Sequence, residues 1–248
     1  FANYPKRFGT YYKDNFNLKN ATDFYDNIFE FPDSSKITSN ADYYRGDFAY
    51  DQLEVDFNFK EKDRVIALSG FKRSYNGPYG QYENADGSSP LQQSYRVDYL
   101  SKNESERLDL SIGYFHTDSR MKINDPANFT HKEKILSTGI GYSKSFEKWK
   151  YNAHAVLYQQ YYKIKFDSVE ANSTKNYLNR FHLNQFINRR LSKISSLKFG
   201  LELDNQGLTF EYSENVNRTW STLYGGWKYK LIELKIGATL TQYEVASY

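Results

Sequence analysis

The sequence predicts an all-β fold: an antiparallel transmembrane β-barrel of about ten strands, either whole or as a part of a larger barrel. Three observations carry this reading: alternation, strand length and loop rhythm. Apolar and polar residues alternate through Leu53-Glu54-Val55-Asp56-Phe57-Asn58-Phe59, Leu108-Asp109-Leu110-Ser111-Ile112-Gly113-Tyr114 and Leu197-Lys198-Phe199-Gly200-Leu201-Glu202-Leu203-Asp204. A period of two puts one face in an apolar phase and the other in a wet one. The runs exceed the ~5–6 residues usual in globular sheets and reach the ~9–11 that a tilted membrane strand needs. Short connections near 61–63, 102–105, 147, 192–194 and 231 alternate with long ones at 73–92, 117–131, 163–176 and 205–219. Short turns on one rim and long loops on the other is the pattern of an outer-membrane barrel.

Strands are expected near 45–60, 63–74, 92–101, 106–117, 133–146, 148–163, 176–190, 195–207, 218–230 and 232–245. They form one unit of hairpins, residues 42–248. Residues 1–41 alternate poorly, are rich in Asn, Asp, Tyr and Phe, and read as an irregular N-terminal segment. With short turns on the inner rim, the strand at 232–245 runs outward, and its free edge is expected to pair with something outside these ten strands.

The alternation assigns faces. Leu53, Val55, Phe57, Phe59, Leu108, Leu110, Ile112, Phe199, Leu201, Leu234, Ile236 and Leu240 share the outward face. The opposite face carries Arg96, Asp98, Asp109, Lys150, His154, Arg180, His182, Lys198, Glu202 and Asp204, a mixed-charge set expected to line a lumen. Mixed signs without a ring of one sign imply weak ion selectivity.

Composition narrows the class. The chain has 24 Tyr and 18 Phe, more Tyr than a soluble core requires but suited to interfacial girdles. Mean hydropathy is −0.80, and no run approaches the ~20 apolar residues of a spanning helix. The absence of Cys excludes disulfides, cysteine-ligated zinc and thiol catalysis. A net charge of +3 from 33 basic and 30 acidic interspersed residues leaves no stripe for nucleic acid.

Local candidates are few. The loop after residue 72 contains Tyr75, Tyr79 and Tyr82, separated by Asn76-Gly77-Pro78 and Gly80-Gln81. Rigid aromatics between turn residues suit a binding loop. His116-Thr117-Asp118-Ser119-Arg120 gathers a base, a carboxylate and a hydroxyl at the outer end of a strand, yet its spacing differs from that of outer-membrane phospholipases, and parity turns His116 outward. Asp109 and His182 lack the surroundings of the paired carboxylates in outer-membrane proteases. His154 and His182 have no fixed short spacing and no companion carboxylate motif, so no metal site is expected. The chain is therefore read as a non-enzyme without a cofactor.

The hairpins resemble those of TonB-dependent receptors and porin-like barrels of Gram-negative bacteria. The resemblance rests on Arg64-Val65-Ile66-Ala67-Leu68-Ser69-Gly70-Phe71 with its Tyr-rich loop, and on Tyr95-Arg96-Val97-Asp98-Tyr99 running to Leu110-Ser111-Ile112-Gly113-Tyr114. It is one of style over residues 45–245, without plug-domain or energy-coupling-box patterns, so no family site residue is carried over. The reading implies an outer-membrane location and a barrel that passes or binds a small solute. The expected partners are the lipid bilayer, lipopolysaccharide and surface or periplasmic proteins. The alternative is a non-transporting anchor for a surface, adhesion or secretion assembly.

Overall fold

The structure, a computed structural model, describes residues 34–76, 82–83, 91–121, 129–166, 174–210 and 215–246. Its elements are β1 (Lys36–Arg45), β2 (Asp51–Lys60), β3 (Arg64–Ser74), β4 (Tyr82–Glu83), β5 (Leu91–Lys102) and β6 (Glu106–Met121). They continue with β7 (Phe129–Phe146), β8 (Trp149–Phe166), β9 (Thr174–Arg190), β10 (Ser195–Phe210), β11 (Asn215–Tyr229) and β12 (Ile232–Ala246). Eleven long strands form an antiparallel meander in sequence order, and β4 sits beside β6 in line with the end of β5. Among the described residues, β1 pairs only with β2 and β12 only with β11, so the sheet has two free edges and is not closed.

Two sequence expectations need correction. Among the described residues there are eleven long strands where the sequence indicated about ten, because β1 begins at Lys36 inside the stretch assigned to the irregular segment. Its outward positions are Ile37, Ser39, Ala41 and Tyr43, and two small residues in the middle erase the alternation that reveals the other strands. The long connections are also shorter than expected. β6 continues to Met121, β8 to Phe166 and β10 to Phe210. The end of β6 is polar on both faces, and on β8 and β10 the alternation inverts, with Ile164, Leu208 and Phe210 on the concave side, so the rule of an apolar outer face stops there while the backbone ladder continues.

The short turns stand where the sequence placed them. Glu61 N–H donates to the Arg64 carbonyl at 2.8 Å, and the Asn103 carboxamide oxygen accepts from the N–H groups of Ser105 and Glu106 at 2.9 and 2.6 Å. The two-residue turns open with Glu147 at φ 51° and Lys230 at φ 52°, in the left-handed region.

Unbroken register lets each face be read as rows running across the sheet. One outward row joins Ile37, Phe59, Ile66, Tyr99, Leu110, Ile140, Ala155, Leu183, Leu203, Ser221 and Leu240. Ten of these eleven residues are apolar or aromatic. A row on the other face joins Asn40, Asp56, Ser69, Arg96, Gly113, Ser137, Tyr158, Arg180, Gln206, Arg218 and Tyr243. That row contains no aliphatic side chain.

Burial reverses the usual order. Ile112 and Phe199 on the apolar face are 52% and 53% exposed, while Arg180 on the polar face is 6% exposed and His182 is 0%. No second layer covers the polar face among the described residues, so its side chains are buried by one another on the inside of a curled sheet. The concave face also buries Val65, Leu100, Phe115, Ile135 and Val156, giving it apolar patches among the charges.

The apolar ladders slope across the rows. On β2 the ladder Leu53–Phe59 centres on Asp56, and on β12 the ladder Ile232–Leu240 centres on Ile236. Phe59 and Leu240 lie on the same row, so the centre is three residues above that row on β2 and four below it on β12. A drift of seven residues over nine strand steps, at ~3.3 Å per residue and ~4.8 Å per strand, gives a tilt of about 30°. This is close to the ~35–45° of outer-membrane strands.

One close approach fixes a local contact. A Cβ placed on Gly200 would lie 2.9 Å from the Gln185 carbonyl oxygen and against the ring of its register partner Tyr224. The phenol end of Tyr224 sits over the glycine, and its hydroxyl donates to the Asn184 side-chain oxygen at 3.2 Å. Gly200→Ala must displace that ring and should destabilise by roughly 1–3 kcal/mol, measured by urea unfolding of the detergent-folded protein. The facing yields a second expectation. Leu201→Arg should cost roughly 2–4 kcal/mol in lipid, whereas Glu202→Arg, on the concave face, should fold as the parent does. Equal tolerance of both arginines in a liposome-folding assay would refute the assignment of faces.

Candidate functional site

The concave face concentrates the charged chemistry, and adjacent strands position it in fixed pairs. Arg180 on β9 and Asp204 on β10 form a two-pronged ion pair, with Nε to Oδ1 at 2.9 Å and Nη2 to Oδ2 at 2.5 Å. His182, two residues along β9 and directly opposite Asp204, brings Nδ1 to 3.4 Å from Asp204 Oδ2. Arg180 Nη1 has no hydrogen-bond partner among the described residues. On β5, Arg96 Nε donates to both oxygens of Asp98 at 3.0 and 2.9 Å, and both residues are buried. On β6, Arg107 Nε holds both oxygens of Asp109 at 3.0 Å. In each same-strand pair the partners are two residues apart, the spacing that keeps both side chains on one face.

A second network lies towards the long-loop rim. The Glu133 carboxylate, fully buried, accepts from Gln160 Nε2 at 2.5 Å, and the Tyr158 hydroxyl donates to Gln160 Oε1 at 3.2 Å. His131 Nε2 is 3.9 Å from Glu133 Oε2, and its ring stands 5.2 Å from that of Tyr162. Tyr158 and Arg180 are register partners, which joins this network to the Arg180–Asp204 pair.

Of the residues the sequence assigned to a lumen, all ten lie on the concave side of the register. The structure brings together Arg180, His182 and Asp204, and separately Arg96 and Asp98. Asp109 pairs with Arg107, which the sequence reading missed. Lys198 is engaged by rings instead, with Nζ 3.8 Å from the Phe186 centroid and 5.6 Å from that of Tyr224. Lys150 is exposed, beside the 147–148 turn. Glu202 and His154 share one row with Asn184 between them. Glu133, Gln160 and His131 were also missed, although opposite parity to the outward Ile140 on β7, and shared parity with His154 on β8, would have placed them on this face.

Of the three loop tyrosines, Tyr75 stands edge-on to Tyr50, with centroids 6.3 Å apart, and Asn76 N–H donates to the Phe48 carbonyl at 3.1 Å. The start of the loop is thus tied to the β1–β2 link. Tyr82 falls in β4 opposite Met121, and Tyr79 lies outside the described residues.

No protein-family model matches the sequence, and no curated protein matches it. Solved structures do match. The alcaligin outer membrane receptor FauA from Bordetella pertussis superposes with a TM-score of 0.62 at 12% identity, over 88% of this chain and 37% of that one. The copper transporter OprC superposes with a TM-score of 0.51 at 13% identity, over 88% of this chain and 39% of that one. The fold is that of an outer-membrane β-barrel wall. The chain spans less than two fifths of the length of either neighbour. Within the barrel wall, the polar face of the present sheet is the concave one and the apolar rows form its convex surface.

The Arg180–Asp204 pair gives a direct test. Asp204→Ala leaves a buried guanidinium uncompensated and should destabilise by about 3–5 kcal/mol, whereas the double change Arg180→Met with Asp204→Leu should cost far less. Thermal unfolding of the two variants in detergent separates a buried pair from a solvated one, for which both changes would cost under about 1 kcal/mol.

Proposed function

We propose that this chain forms part of the wall of an outer-membrane barrel that binds or passes a small polar solute along its concave face. The observation that carries the reading is the pair of back-to-back rows. A polar row of eleven residues containing three arginines is backed by an outward row with a single polar member, Ser221. A soluble sandwich would bury the apolar row and expose the polar one, and the burial runs the other way.

The polar row supports a wet interior, since buried N–H and O–H groups need water or a ligand where protein partners run out. Arg180 Nη1 is such a group. Barrels of about eight strands are filled by their own side chains, and open channels need about sixteen. Passage therefore requires that the free edges of β1 and β12 be paired by further strands. The likeness to receptors of which the matched part is 37–39% supports a wider barrel. The mechanism needs no covalent step. Fixed Arg–Asp pairs set the charge of the wall, and the half-buried His131 and Gln160 of the loop-side network, the latter held by the buried Glu133, offer hydrogen-bonding groups to a solute entering from that rim.

Two measurements test the reading on the full-length protein. It should remain in outer membranes through carbonate extraction; recovery of folded, monodisperse protein from detergent-free buffer would defeat membrane residence. Reconstituted into liposomes, it should accelerate swelling in small sugars above empty vesicles. Folded protein that gives no swelling would reject passive passage and leave the surface-anchor reading standing.

A further inference from the structure

The convex face changes character towards the long-loop rim, and the change is concentrated on β7–β9. The apolar ladder of β6 ends at Tyr114, and the next outward residues are His116 and Asp118. The row at the level of His116 runs through Lys134, Tyr161 and Tyr177. The row above it runs from Asp118 through Lys132 and Lys163 to Lys175. Three lysines thus stand side by side on three neighbouring strands, with Lys134 two residues below Lys132 on the same face. Like charges directly opposite across a ladder destabilise a sheet. From β6 to β9, these two rows contain one carboxylate, Asp118, and it is held by Lys132 at 2.7 Å. Lys134 is exposed and has no ion-pair partner among the described residues.

Directly below the lysines the outward face is hollow. A cavity of about 260 Å³ is bounded by Tyr114, Lys134, Leu136, Gln159, Tyr161 and Tyr177. The rings of Tyr161 and Tyr177 are 5.0 Å apart, and Leu136 marks the top of the apolar ladder on β7. Read from the rim downwards, the surface is cationic, then aromatic and amide-bearing, then aliphatic. This is the order of an amphipathic lipid: phosphate, polar headgroup, acyl chain.

We propose that this ledge on β7–β9 is a binding site for an outer-leaflet lipid with a phosphorylated headgroup. Lys132, Lys134 and Lys163 contact the phosphate, and the Tyr161–Tyr177 hollow takes the start of an acyl chain. The bound anion offsets the repulsion within the lysine row. The proposal rests on the outward facing assigned above and names the lipid class that this part of the surface selects.

Native mass spectrometry of the full-length protein in dodecyl maltoside, titrated with diphosphoryl lipid A, tests it. Wild type should retain the lipid. Lys132→Gln/Lys134→Gln/Lys163→Gln should weaken retention by about 10-fold or more, and the matching Lys→Arg triple should restore it. A charge-matched control, Lys62→Gln/Lys148→Gln/Lys193→Gln, removes three cations from the short-turn rim and should bind as wild type does. Heat-modifiable electrophoretic mobility confirms folding of each variant. Equal retention by wild type and the first triple would overturn the site. So would equal loss in the short-rim control, which would reduce the effect to net charge. Competition by millimolar inorganic phosphate, or equal retention of phosphatidylcholine, would overturn the lipid assignment. Carbonate extraction run in parallel separates the two readings. A protein that leaves the membrane defeats residence itself, whereas a membrane-retained triple that still binds the lipid defeats only this site.

Discussion

The antiparallel ladder is the constraint on which the rest of this structure depends. Ten consecutive pairings keep unbroken register across eleven long strands, and every residue is thereby committed to one of two faces. Hydrophobic pattern and register are one specification here, because a slip of one residue would carry Arg96, Arg180 and His182 to the apolar side and Leu110 and Phe199 to the polar side. The turns hold that register at the rim. Asn103 accepts two backbone N–H groups, and the left-handed residues Glu147 and Lys230 close two-residue links without a gap in the ladder.

Where alternation was strong, the sequence was legible. β2, β6, β10 and β12 were visible from Leu53–Phe59, Leu108–Tyr114, Leu197–Leu203 and Leu234–Leu240, and the outward set matches the register. It was illegible where one face lost its chemical identity. β1 has Ser39 and Ala41 in the middle of its outward face. The outer end of β6 is polar on both sides, and at the ends of β8 and β10 the apolar residues Ile164, Leu208 and Phe210 change to the concave side, so all three read as loop although their backbones stay paired. The site was legible only as a face. Parity placed Arg180, His182 and Asp204 on one side, but only the register shows that His182 stands opposite Asp204. Ion pairs such as Arg107–Asp109 lie within a strand at a spacing of two, which any alternating polar sequence supplies many times over, so the motif carries little information by itself.

The concave face is not uniformly polar. Phe115, Ile135 and Val156 are buried on it among polar residues. Arg96–Asp98 and Arg180–Asp204 are held by two contacts each and are shielded by neighbours on the same curved sheet. Such pairs are costly to break singly. They act as rigid parts of the wall, while Lys198 lies over the ring of Phe186.

The slope of the apolar ladders bears on these charges too. Arg96 and Arg180 belong to one hydrogen-bonded row but are four strand steps apart. In a wall tilted by about 30°, four steps of ~4.8 Å raise one end of the row by about 10 Å over the other. Arg180 is then nearer the long-loop side and Arg96 nearer the short-turn side. Residues that look like neighbours on the sheet form a spiral stair around the interior. Arg96 and Arg180 are thus two charged landings at different depths of the wall instead of one level collar.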